Sequence, residues 1–119
     1  MATEKKSSEL FIKGKNKSWQ SVGDGVRRKI LGFGPALMMT HVAFDKGSIG
    51  IRHAHPHTQV SFIESGKFEV EIGDTVSVLG AGDSYFVPPH VEHGVVALEE
   101  GRLLDVFAPI REEFLSSAK

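Results

Sequence analysis

A chain of 119 residues has the length of one domain built around one core. With 40% hydrophobic and 24% charged residues and no cysteine, it is neither a disordered chain nor a disulfide scaffold. Any bound metal would have to take nitrogen and oxygen ligands. The net charge of −1 conceals an uneven distribution: residues 1–29 hold eight Lys and Arg against three Asp and Glu, residues 30–119 six against twelve.

The first 18 residues are polar and rich in Lys and Ser, and read as an arm with one edge strand near Leu10–Lys13. The arm is basic, but no aromatic or Arg-rich reading motif accompanies it. A solvated surface is therefore expected, with no nucleic-acid partner. MATEKKSSELF contains no apolar secretory core, and no apolar run approaches the ~18–20 residues that span a bilayer. The expected setting is cytoplasmic, without a membrane partner.

After Trp19, short β-like runs follow one another: VRRKILGF, ALMMTHVAF, SIGIRHAH, TQVSFIE, KFEVEI, TVSVL, SYFVP, HGVVALE and RLLDVFAP. Gly-, Pro- and Asp-containing segments separate them, among them ESGK, IGDT and GAGD. Many short strands between such turns predict an all-β sandwich or barrel. KFEVEI sets Phe68, Val70 and Ile72 against Lys67, Glu69 and Glu71, one buried face and one wet face. The only helix expected is the tail after Pro109, over Arg111–Ser117, with Glu112 and Glu113 suiting its positive N-terminal end.

Three of the six histidines fall within RHAHPHTQ, at residues 52–59. Side chains at i and i+2 of a strand share a face, so His53 and His55 can grip one ion. Pro56 ends that strand, and Gln59 begins the next. A fourth ligand must come from elsewhere, and VPPHVEHGVV offers His90 and His93. Imidazoles with a neutral carbonyl oxygen suit Ni, Zn, Mn or Fe. An isolated H-x-H is often a surface loop, but a glutamine and a second histidine cluster in a β-protein favour a metal site with open positions.

Gly47, five residues, His53-x-His55, three residues, Gln59, six residues, Gly66 resembles the first motif of the cupin superfamily. Gly82, five residues, Pro88-x-His90-x-x-His93 resembles the second. The resemblance implies a single-domain cupin β-barrel over residues 19–119, preceded by the arm at 1–18. It implies one divalent metal ion held by His53, His55, Gln59 and His93. His90 stands where the family often has glycine, and Ala97 replaces a usual non-ligand asparagine.

HAHPHTQ, HGVVALE and LLDVFAPIREEFL further resemble the small KdgF-type cupins of pectin and alginate breakdown, over about residues 25–115. That likeness implies opening and ketonisation of unsaturated uronates to linear 4-deoxy-5-ketouronates. It implies that Asp105, Phe107 and Arg111 line the substrate pocket, and that the protein is a homodimer.

The residues suit that chemistry. A neutral amide in place of a carboxylate leaves the site one positive charge richer and a better host for an anion. Asp105 is a candidate proton carrier, Arg111 can clamp a carboxylate, and Phe107 can pack on the sugar face. Plainer roles compete: a structural ion pair for Asp105, core packing for Phe107, surface decoration for Arg111. His41 is expected to be packed or pocket-lining rather than a ligand, His57 a rim residue, and one of Tyr85 and Phe86 inward-facing. Two other functions fit the same pattern: another metal-dependent cupin enzyme, a dioxygenase or isomerase of a small organic acid, and a non-catalytic sugar- or metal-sensing module.

Overall fold

The computed structural model describes residues 6–117. Within them ten strands form: β1 (Gln20–Gly23), β2 (Val26–Gly34), β3 (Leu37–Phe44), β4 (Ile49–His53), β5 (Thr58–Ser65), β6 (Lys67–Ile72), β7 (Thr75–Gly80), β8 (Ser84–Val87), β9 (His93–Ala97) and β10 (Gly101–Ala108). A short helix, α1 (Glu112–Ser117), follows. The strands build two antiparallel sheets, one of six in the order β1-β2-β3-β10-β5-β8 and one of four in the order β4-β9-β6-β7.

Alternation dictates what each strand buries. On β6, Phe68 and Val70 point inward while Lys67, Glu69 and Glu71 face solvent. On β5, Gln59, Ser61 and Ile63 point inward, and Val60 and Phe62 outward. β6 and β7 are joined through Gly73 and β5 and β6 through Gly66, both at positive φ. At Gly66 a Cβ would also collide with the Glu100 carbonyl, so the turn needs glycine for space as well as conformation.

The inward side chains segregate. One apolar cluster, including Phe44, Ile63, Phe68, Val95 and Leu103, joins the two sheets, with Phe44 and Phe68 edge to face at 5.2 Å. Each such side chain, fully buried, contributes roughly 1.5–3 kcal/mol. A smaller cluster of Met38, Phe107 and Ile110 lies under the C-terminal segment. The inward face also buries the polar Thr40, Gln59 and Ser61. Buried polar groups are costly unless paired, and their grouping marks the functional interior.

Four local features differ from the sequence expectation. Leu10–Lys13 is irregular and leads into a single 3-10 turn at Gly14–Asn16. This segment is docked nonetheless: Ser8 N–H donates to the Phe33 carbonyl at 2.8 Å, and Phe33 N–H donates to Ser8 Oγ at 3.0 Å. The edge position is taken by β1, too short and polar for its alternation to show. β4 stops at His53, leaving His55 in the loop to β5. α1 begins at Glu112, so Pro109 and Arg111 precede it.

Candidate metal centre

His53 closes β4 and His93 opens β9, and the two are cross-strand partners in the four-stranded sheet. His55 comes in from the β4–β5 loop, held there by His90 N–H donating to the His55 carbonyl at 2.7 Å. One ring nitrogen from each of His53, His55 and His93 lies within 4.8 Å of the other two. Gln59 enters from the opposite sheet, its Oε1 2.9 Å from His55 Nε2.

Backbone carbonyls orient all three rings. Nδ1 of His53 faces the Ile51 carbonyl at 2.8 Å, Nδ1 of His55 the His57 carbonyl at 3.1 Å, and Nδ1 of His93 the Val91 carbonyl at 2.9 Å. A carbonyl only accepts, so each Nδ1 carries the proton and each Nε2 presents a lone pair. The consequence at His55 is that two acceptors, Nε2 and Gln59 Oε1, confront each other with no proton between them. His93 Nε2 is buried with no hydrogen-bond partner. Burial holds the His93 ring neutral, with its pKa pushed down to about 4, and lowers that of His55 in the same way. Neutral, inward-aimed lone pairs left without donors fit a bound cation. His53, His55, His93 and Gln59 are the residues that would hold it.

A chain of polar groups leads away from this centre. Gln59 Nε2 donates to Ser61 Oγ at 2.9 Å, and Ser61 Oγ donates to Asp105 Oδ1 at 2.5 Å. Asp105 faces inward on β10, opposite Ser61 in the sheet. Burial raises its pKa, and the Ser61 hydrogen bond and the Arg111 and Arg28 charges oppose that rise. Phe107 is buried beside the centre, edge to face with His55 at 5.8 Å. The Arg111 guanidinium stacks 5.0 Å from the Phe107 ring centre and 4.3 Å from that of Phe114, and its Nε donates to Glu113 Oε2 at 2.7 Å.

A cavity of about 830 Å³ connects these groups. His53, Gln59, His93, Asp105, Phe107 and Arg111 all line it. Residues of the β1–β2 turn and of the 46–51 segment share its wall.

The structure thus brings together every site residue expected from sequence, sets His41 and His90 away from the centre, and packs the His57 ring edge to face against His55 at 5.3 Å. His90 is exposed, at φ 68, the left-handed conformation that explains a glycine preference at this position. His41 lies on the outer face of the large sheet, packed against Trp19 at 5.4 Å and bonded to Glu64 at 2.6 Å; it does not line the cavity. His57 contributes its carbonyl to His55. Tyr85 points into the cavity and Phe86 outward.

Three functional candidates escaped the sequence reading: Arg28, Ser61 and Phe114. Arg28 shares the inward parity of Val26 on β2, and a charge on an inward face was the available signal. Its guanidinium lies 3.7 Å from the Phe114 ring centre, beside Arg111. Tyr85 reaches Ser61 with its hydroxyl, and burial raises its pKa.

The cupin domain model matches residues 40–107 of the chain. The pectin degradation protein KdgF of Dickeya dadantii is 44% identical over 99 residues, which span 82% of this chain and 90% of that protein. An RmlC-like cupin from Shewanella frigidimarina superposes with a TM-score of 0.90 at 45% identity, over 92% of this chain and 99% of that one. The structure of KdgF from Halomonas sp. superposes with a TM-score of 0.86 at 37% identity, over 90% and 99% of the two chains. With its two-sheet barrel, its histidine cluster and these relatives, the chain belongs to the cupin family, within the group that includes KdgF.

Proposed function

We propose that the protein is a metal-dependent isomerase that opens and ketonises 4,5-unsaturated uronates. The observation that carries this is one cavity joining the three-histidine, one-glutamine centre to an inward carboxylate, Asp105, and two guanidiniums, Arg28 and Arg111. The relationship to a pectin degradation protein supports the substrate class.

The substrate is a cyclic hemiacetal with a 4,5 double bond and a carboxylate on C5. The hemiacetal hydroxyl loses its proton, the bond from C1 to the ring oxygen breaks, and C1 becomes an aldehyde. The ring oxygen stays on C5 as an enolate, which gains a proton at C4 and becomes the 5-ketone. One proton leaves and one arrives, so the reaction needs no oxidant or co-reactant.

A divalent ion, when bound, supplies Lewis acidity that stabilises negative charge on substrate oxygen. The chain's own residues do the rest. Arg111 clamps the substrate carboxylate, with Arg28 reinforcing the positive potential around it. Asp105 takes the hemiacetal proton and returns one to carbon, a cycle suited to a carboxyl whose pKa burial has raised. Phe107 and Phe114 pack against the sugar and keep water from the enolate.

The protein works as a homodimer, with the outer face of the six-stranded sheet as its contact. Val60 and Phe86 are cross-strand partners there, and both are exposed beside Phe62 and Met39. The reaction is tested by following the ultraviolet absorbance of an unsaturated uronate with metal-loaded, metal-stripped and reloaded protein. Faster loss of absorbance with the loaded and reloaded forms is expected, and no acceleration over buffer would overturn the proposal. Oxygen uptake during turnover would indicate a dioxygenase instead.

A further inference from the structure

An amide side chain is nearly symmetric in shape, so something must decide which end of Gln59 faces the histidines. His55 does not decide it. Its Nε2 lone pair would accept an N–H from a reversed amide, and in the absence of a cation that orientation is the more comfortable one. The deciding contact lies on the far side. Ser61 is fully buried and has one hydroxyl proton. That proton goes to Asp105 Oδ1, leaving the Ser61 oxygen as an acceptor. An acceptor there takes the Gln59 Nε2–H and repels a reversed Oε1.

We infer that Ser61 is a positioning residue. By donating to Asp105 and accepting from Gln59, it locks the glutamine amide with its oxygen toward the three imidazoles, and so ties the metal centre to the proton-carrying carboxylate. Ser61 touches neither the ion nor the substrate in this role. The inference rests on the metal-site reading above and extends it to a residue outside the ligand set.

The chain also gives a reason for glutamine over glutamate at position 59. An ionised glutamate has no N–H for Ser61. It would compete with Asp105 for the single hydroxyl proton, and the one-way chain would be broken. A glutamate would hold a cation more strongly by charge alone, so the choice of an amide trades ligand charge for a defined connection to Asp105.

The test measures Zn²⁺ affinity of metal-stripped protein by competition with a chromogenic chelator, with no substrate present. Loss of an outer-sphere partner typically weakens metal binding by about 10–100-fold. Ser61→Ala should weaken Zn²⁺ binding within that range, and Ser61→Thr, which keeps the hydroxyl, should recover most of the loss. In a Gln59→Ala background the Ser61→Ala change should have no further effect, because there is no amide left to orient. A purely structural role would weaken both backgrounds alike, and that result overturns the inference. Unchanged affinity in Ser61→Ala protein does the same. If Ser61→Ala does not fold, the Thr variant and Gln59→Glu decide. Thr with wild-type affinity, and Glu that binds Zn²⁺ at least as tightly while losing turnover, support the chain, and the opposite pair overturns it. Wild-type protein that fails to bind Zn²⁺ would instead overturn the metal site itself, a separate failure seen before any variant is made.

Discussion

The Arg28 guanidinium of β2 lies 3.7 Å from the centre of the Phe114 ring, and Arg111 approaches the same ring at 4.3 Å. One aromatic side chain of α1 therefore supports two cations at the cavity wall and holds the C-terminal helix against the barrel. A guanidinium over a desolvated ring is worth on the order of 1–2 kcal/mol.

Phe114→Ala should destabilise the fold by about 1–2 kcal/mol, since the ring is only half-buried. It should raise KM for the uronate several-fold, because both guanidiniums lose their platform. kcat should fall less than KM rises. Thermal unfolding with steady-state kinetics checks this, and an unchanged KM would count against Phe114 as a wall of the substrate cavity.

Asp105→Asn should lower kcat by about 10²–10⁴-fold. The stability effect has a defined sign. Burial raises the folded-state pKa of Asp105 above its unfolded value, so the ionised group opposes folding at neutral pH. That cost is relieved as pH falls through the raised folded pKa toward the unfolded one. The neutral asparagine should therefore leave the metal-free protein at least as stable as wild type at pH 7. Urea unfolding of both proteins tests it, and a marked loss of stability at pH 7 would make Asp105 a structural group.

Metal-free protein should weaken in acid through His93. Its folded pKa, about 4, lies below the ordinary imidazole value of about 6.5. The unfolded chain then binds a proton first, so His93 contributes stability above pH 6.5 that is lost as pH falls toward 4. His55 adds in the same direction. His93→Gln should flatten the dependence of the urea midpoint over that window, and an equally steep profile would contradict the neutral buried ring.

His90→Gly should keep metal content at the wild-type level and stabilise the fold by up to about 1 kcal/mol, the left-handed penalty less the extra chain entropy of glycine. His55→Ala, by contrast, should lose the metal while remaining folded. Elemental analysis with circular dichroism separates the two residues. Retained metal in His55→Ala protein would remove it from the ligand set.

Phe62→Asp places a charge on the outer face of the large sheet and should convert the proposed homodimer to a monomer, read by sedimentation. A wild-type monomer, or a variant that remains dimeric, would put the contact elsewhere.

The barrel was legible because β6 alternates and the turns carry glycine where φ is positive. The histidine centre was legible because three ligand candidates sit on strand ends or in the loop between them, where spacing maps onto space. Ser61 and Arg28 were hidden for a physical reason. Their importance comes from cross-strand neighbours on β10 and from the C-terminal segment, and periodicity along one strand does not reveal what stands opposite. His41 shows the converse: a packed or pocket-lining position was expected from sequence, but which side of the sheet faced solvent was not legible.

The ligand candidates are divided between the layers of the barrel. His53 and His93 belong to the four-stranded sheet, Gln59 to the six-stranded one, and His55 to the loop crossing between them. An ion gripped by all four is a rivet through the sandwich. Separating the two sheets then requires giving up the ion, so loading and folding share one free-energy balance. Under the proposed function, the same centre would serve the reaction and clasp the fold, and metal supply would set how firmly the barrel stays shut.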